Sequence, residues 1–164
     1  MSFIRTLASL CLAALITLPS NAATPKHPDG LIEILGAYDS TPTAAHLVML
    51  CDAPVSCLES VAVDTSQSAY VRHRAVNLLS AFPTSASERA LKRAAAKDEP
   101  FIVNAATYTF IRAFGPLNPS AVVDWAETAL TSNSPEARLG AVRALRFVPG
   151  PQVDLRVDAL ADVE

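Results

Sequence analysis

Glycine is scarce in this chain, five in 164 residues, and no stretch alternates β-branched with polar residues. Without that alternation a half-buried strand has no signature, and alanine, leucine and valine dominate instead, so the fold class is expected to be all-α. The glycines do not form a phosphate-cradling loop. A Gly-x-Ser-x-Gly elbow, a His-Glu-x-x-His pair and a Cys/His set at zinc spacing are also missing. Three histidines, His27, His46 and His73, leave a histidine-based triad few members. These lacks predict a protein that is not an enzyme and carries no cofactor and no metal. A basic excess is missing too. Thirteen Lys and Arg against sixteen Asp and Glu argue against nucleic acid, whose binding rests on neutralising phosphates.

Long apolar runs are equally rare, with one exception. Leu7 to Leu18 is almost unbroken, follows Arg5 and ends at the small residues Ser20-Asn21-Ala22. That layout predicts a secretory signal peptide over 1–22, the apolar part being short for a membrane span. An uncleaved anchor is the alternative, and Leu10 before Cys11 argues against a lipoprotein site. Cleavage leaves 142 residues with a formal net charge of −4 in place of −3. The expected location is secreted or periplasmic, with no membrane attachment afterwards. A short polar, proline-bearing linker over 23–28 then leads into one domain over 29–164.

Within that domain one helix is written three times. "YVRHRAVNLLSAFP" begins at Tyr70, "FIVNAATYTFIRAFG" at Phe101 and "EARLGAVRALRFVPG" at Glu136. Val71, Val103 and Ala137 align, then Ala75, Thr107 and Ala141, then Leu78, Phe110 and Ala144. Leu79, Ile111 and Leu145 follow, and last Phe82, Phe114 and Val148, at offsets of 32 and 34 residues. In each copy the five positions fall within an arc of about 100°, the width of a core-facing stripe. A degraded copy, Thr43, Leu47, Leu50 and Cys51, lies 28 residues upstream. Further helices are expected near 29–38, 55–64, 85–97, 119–131 and 152–162. Thr41-Pro42, Asn118-Pro119 and Ser134-Pro135 read as N-caps followed by proline. Ser85 to Glu88 reads as a capping box, and Gly115 and Gly150 as left-handed helix ends. A two-helix unit of this length cannot bury its own stripe. Stacking on its neighbours does bury it, which predicts a right-handed α-solenoid of about 3.5–4 helical hairpins.

"DEPFIVNAATYTFIRAFG" and "SNSPEARLGAVRALRFVPG" resemble HEAT and HEAT-like repeats, including the lyase-type ones, over roughly 55–150. The second helix of those repeats opens Val-Arg, with Ala and Leu following at fixed spacing. Val71-Arg72, Ala75 and Leu79 match, as do Arg138, Ala141 and Leu145, whereas Asn104 and Thr107 depart in the middle copy. The resemblance implies an inter-helix Asp that pairs with the Arg, at Asp64 and Asp98, with Asn133 in its place before the third copy. It speaks to fold and is almost silent on activity.

Candidate chemistry is sparse. Cys51 and Cys57 remain after processing, and an even count in an exported protein suggests a disulfide closing about seven residues, with two buried thiols as the alternative. His46 and His73 share one phase, directed away from the buried stripe. His46 and Cys51 lie about 140° apart around a helix, too far for one ion to reach both. The same face continues as Asn77, Ser80, Ala105, Thr109 and Arg112, then Leu139, Arg143 and Arg146, growing more basic. A concave surface of this kind would hold carboxylates of a peptide or protein partner through bidentate Arg contacts, and a solvated helix face is the plainer reading. The run from Glu88 to Lys97 mixes signs and keeps one face wet. Trp125 reads as core packing between units. Asp154, Asp158, Asp162 and Glu164 read as a polar cap over the last repeat. The expected function is a non-catalytic protein-binding scaffold or adaptor. An accessory subunit to a cofactor-handling, lyase-like complex and a structural spacer in the cell envelope are the alternatives.

Overall fold

The computed structural model describes residues 26–97 and 99–148. Eight α-helices run through them: α1 Leu31–Gly36, α2 Ala44–Leu50, α3 Pro54–Val63, α4 Ala69–Leu78, α5 Ser85–Ala95, α6 Pro100–Phe114, α7 Pro119–Leu130 and α8 Pro135–Leu145. A single 3₁₀ turn, Leu79–Ala81, prolongs α4, and no strand occurs among the described residues. The chain is all-helical. The expected signal segment, Asp98, Gly150 and the acidic last helix lie outside the described residues.

Local chemistry sets the helix starts. Asn118 and Ser134 cap α7 and α8, each side chain accepting a backbone N–H three residues on, with proline at the next position. Two other expected caps move. The cap of α2 is Thr43, not Thr41, and His46 completes its capping box: the His46 N–H donates to Thr43 Oγ1 and the Thr43 N–H to His46 Nδ1 at 3.3 Å. The cap of α5 is Thr84 rather than Ser85, because the Ser87 N–H reaches Thr84 Oγ1 while the Ser87 hydroxyl donates to Phe82 O. Gly115 also differs from expectation. It keeps right-handed torsions (φ −52°, ψ −48°), and its N–H continues the ladder to Ile111 O. The one left-handed residue among those described is Gly30, at φ +80° before α1, where only glycine is unstrained.

The repeated stripe is the core. Leu79 and Ile111 are fully buried and Leu145 is 3% exposed, and Val71, Ala75, Val103, Phe110, Ala137, Ala141 and Ala144 are buried with them. Leu78 and Phe82 pack against that core while remaining partly exposed. Helix α6 is the hub, packing against α4, α5, α7 and α8, while α3 packs on both α4 and α5. Thus α4, α6 and α8 lie side by side. The N-terminal pair breaks the expected register, since it is α1 that packs broadly on α4 whereas α2 meets α3. Leu31 and Leu35 bring α1 into the core, and Arg74 pins the segment after it by donating to Ala37 O and Ser40 O. Trp125, on α7, lies against Phe110 of α6 with ring centroids 4.4 Å apart.

Two polar fixtures brace the α3–α4 hairpin, one joining it to the start of α6 and one to the segment before α1. Arg72, 5% exposed, donates from Nε to Ala62 O at 3.1 Å and grips the Glu99 carboxylate with both terminal nitrogens. Asp64 is therefore not the partner of Arg72, as the repeat pattern implied. It accepts instead from the backbone and hydroxyl of Ser66 and from Gln67, and pairs with His27 at 2.8 Å. Ser60 Oγ meets the other His27 nitrogen at 3.3 Å, so residues 26–28 are held onto the α3–α4 corner.

These fixtures make stability pH-dependent. Hydrogen bonds from Ser66 and then His27 hold the Asp64 carboxyl well below the usual carboxylate range, and the bond from Arg72 lowers Glu99. A carboxyl with a depressed folded pKa stabilises fully above its unfolded pKa, about 4, and that contribution fades as pH falls through the folded value. Burial lowers His73 as well, so its neutral form is favoured in the fold and stability also declines below its ordinary 6.5. Thermal unfolding followed against pH should show a shallow loss below 6.5 and a steeper one below about 4. Asp64→Asn should flatten the steeper leg. An unchanged acid leg in that variant would rule out the role given to Asp64.

A second prediction concerns Thr107, buried at 1% exposure with a hydroxyl that has no partner among the described residues. Its counterparts in the other copies are Ala75 and Ala141. Thr107→Val keeps the shape and removes the unsatisfied group, so a gain of about 1 kcal/mol is expected in denaturant unfolding. A loss of that size would show instead that the hydroxyl holds water.

Candidate functional site

The side-by-side arrangement of α4, α6 and α8 presents one row of side chains to solvent. Two adjoining depressions mark it. One, of ≈ 460 Å³, is lined by His73, Asn77, Asn104, Tyr108 and Arg112 among others. The second, of ≈ 450 Å³, is lined by Tyr38, Pro42, Tyr70 and Arg74, and shares His73 and Asn77 with the first. Together they form one elongated groove.

Stacked aromatic pairs cross this face, each joining two elements. Tyr38, after α1, stacks on Tyr70 of α4 at 4.7 Å, and His73 of α4 stacks on Phe101 of α6 at 4.6 Å. Tyr108 of α6 meets Phe147, just beyond α8, edge-on at 6.1 Å. Arginine accompanies the ends of the row: Arg74 lies over Tyr70, while Arg112 and Arg146 both lie over the Phe147 ring. Tyr38 is 82% exposed and Phe101 51%, so the row is open to a ligand.

Most polar groups in the groove are already engaged. Asn77 contacts His73 Nδ1 through its amide nitrogen and accepts from Thr109 Oγ1 at 2.9 Å. Asn104 donates to Glu136 O and Ser80 to Asn77 O. Arg112, Arg143 and Arg146, by contrast, have no ion-pair partner among the described residues.

Of the residues singled out from sequence, His73, Asn77, Thr109 and Arg112 are brought together at one depression, and Arg146 joins Arg112 across Phe147. Three readings change. Ala105 and Thr109 lie at the buried floor of the first depression, where Thr109 donates to Asn77 rather than standing in solvent. His46 lies on the displaced α2, serves its cap and lines neither depression. Arg143 is exposed on α8 outside both depressions. Tyr38, Tyr70, Arg74, Phe101, Tyr108 and Phe147 went unread. Tyr38 and Tyr70 do lie 32 residues apart, the repeat offset, which was the one available signal. Of the charged residues expected to stay wet, Arg89, Arg93 and Lys97 are exposed and Glu88 and Lys92 half-buried, Glu88 pairing with Lys92 at 2.8 Å and Arg93 with Glu59.

Cys51 and Cys57, weighed as a bridge, stand as two thiols. Burial, then a hydrogen bond with Cys57, pushes the Cys51 thiol up to about 12. Offered oxidised glutathione, the pair is expected to close, two thiols becoming one disulfide as two reduced glutathiones leave. Cys51 supplies almost no thiolate at neutral pH, so the first attack falls to Cys57. Mass spectrometry of the unreduced protein reads the loss of two hydrogens, and closure should add roughly 2 kcal/mol of stability. Persistent mixed disulfides at both positions would sink this expectation.

Among the described residues, no three His, Cys, Asp or Glu side chains gather as a metal-ligand set. No single described helix is long and apolar enough to cross a membrane. Comparison of the chain with protein-family models, with curated proteins and with solved structures gives no match.

Proposed function

We propose that the chain is an exported HEAT-like α-solenoid that serves as a non-catalytic scaffold, binding a polypeptide partner along the face of α4, α6 and α8. The observation that carries this reading is the continuous groove that shares His73 and Asn77, flanked by arginines without carboxylate partners among the described residues. Arg72 and Arg138 support the repeat reading. Each bonds back to a carbonyl of the preceding helix end or loop, Ala62 O and Ser132 O, as a stack of similar hairpins requires. The export part rests on residues 1–22 and predicts a mature chain beginning at Ala23.

A photo-crosslinking residue at Ser80, on the groove wall, tests the binding reading in cells. A discrete polypeptide adduct, lost in Arg112→Glu/Arg143→Glu/Arg146→Glu, supports a scaffold. No adduct, or one indifferent to charge reversal, favours the spacer.

A further inference from the structure

We infer that the groove takes an acidic, proline-bearing polypeptide segment in the polyproline II conformation, laid across the helix row with a three-residue period. The inference rests on the binding reading above and gives its partner a chemistry. Four observations carry it.

Charge comes first. The chain is acidic overall, at a formal −3, yet neither depression has an Asp or Glu in its lining, while Arg74 and Arg112 line them and Arg143 and Arg146 lie on the neighbouring helix end. A cationic strip on an acidic protein selects an anionic partner and suppresses a cationic one.

The second is the supply of free hydrogen bonds. Asn77, Ser80, Asn104 and Thr109 spend theirs on the protein itself. Such a groove offers few free partners to the backbone of an extended β-strand. A proline-bearing segment asks for little, because proline has no N–H and a polyproline II backbone stays solvated.

The third is the aromatic row. Tyr38–Tyr70 and His73–Phe101 offer rings already fixed by mutual stacking, and Tyr108–Phe147 a pair fixed edge to face. Proline-rich segments dock in grooves lined this way.

The fourth is a match of periods. Packed helices lie about 8–10 Å apart, and a polyproline II helix advances roughly 9 Å in its three-residue turn. One turn of the ligand therefore spans about one step from helix to helix. A segment of about nine residues would cross the three aromatic pairs.

Fluorescence anisotropy with labelled synthetic peptides tests this on the mature chain. The probes are three repeats of Pro-Glu-Pro, the Gly-Glu-Gly and Pro-Lys-Pro counterparts, and oligoglutamate of the same charge. The Pro-Glu-Pro peptide should bind at least about tenfold more tightly than each of the others, since preorganisation removes an ordering cost. Tyr38→Ala and Phe101→Ala, both at exposed positions and each checked for an unchanged circular-dichroism spectrum, should each weaken it several-fold. Equal binding of Gly-Glu-Gly or oligoglutamate overturns the conformational claim, and equal binding of Pro-Lys-Pro overturns the charge claim. If no probe binds, the inference falls. A Ser80 crosslink obtained in that case keeps the scaffold reading alive, and its absence removes both.

Discussion

Gly140→Val is expected to destabilise the protein by about 3 kcal/mol, lowering the unfolding midpoint by roughly 10 °C. Helices α6 and α8 meet at this glycine. A Cβ placed there would lie 2.8 Å from the Asn104 carbonyl oxygen and 3.1 Å from Thr107 Cβ. The carbonyl belongs to helical backbone and cannot turn aside, so the helices must separate along the seam that buries Ala141 and Ala144. Gly140→Ala is milder, because the same contact is offset by the gain of about 1 kcal/mol that alanine brings to a helix interior. Leu139→Val, at an exposed position next door, is the control and should change stability by less than about 0.5 kcal/mol. Thermal unfolding by circular dichroism decides it. A wild-type midpoint in Gly140→Val would mean that α6 and α8 do not approach this closely. Because α8 carries Arg143 and leads into Arg146 and Phe147, the same variant should also blunt any binding at the groove.

That glycine shows where sequence reading stops. Periodicity and caps are local, so the stripe from Val71 to Val148 and the caps Asn118 and Ser134 could be read directly. Where two cap-competent residues adjoin, as at Thr84 and Ser85, the choice fell to the Ser87 hydroxyl reaching Phe82 O, a contact no pattern records. Nothing local marks Gly140, because its reason lies on α6, a helix some thirty residues earlier in the chain. The N-terminal pair was misplaced for a related cause. Helices α1 and α2 have six and seven residues, and such short pieces are positioned by what they pack on, here α4 and α3, rather than by their own stripe. His46 left the candidate site with α2.

The site itself was half legible. Phase alone gathered His73, Asn77 and Arg112, because residues on one face of repeated helices stay in line when those helices stand in a row. Burial could not be read the same way. Thr109 and Ala105 share that phase, yet α6 has neighbours on four sides, so its outward arc is narrower than that of α4 or α8. The aromatic pairs were invisible because each partner comes from a different element.

Arg72→Met removes both bonds of Arg72, the one to the end of α3 within its own hairpin and the one to Glu99 at the start of α6, and a loss of about 2–3 kcal/mol is expected. Methionine keeps much of the packing of the buried stem and removes every donor. Ala62 O, one of the carbonyls that the end of α3 leaves without a helical partner, then loses its bond from Arg72 Nε in a buried place. The Glu99 carboxylate also loses its partner, but its side chain is 42% exposed, so water takes over most of that task. The carbonyl therefore carries the larger share. Arg72→Lys should fall between wild type and methionine, since an ammonium cannot serve the carbonyl and the carboxylate with the same fork. Glu99→Gln should cost less than about 1 kcal/mol at neutral pH while removing part of the stability lost on acidification. Denaturant unfolding of the three variants gives the order. A Glu99→Gln loss equal to that of Arg72→Met would reverse the assignment and give the larger share to the ion pair with the next hairpin rather than to the capped end of α3.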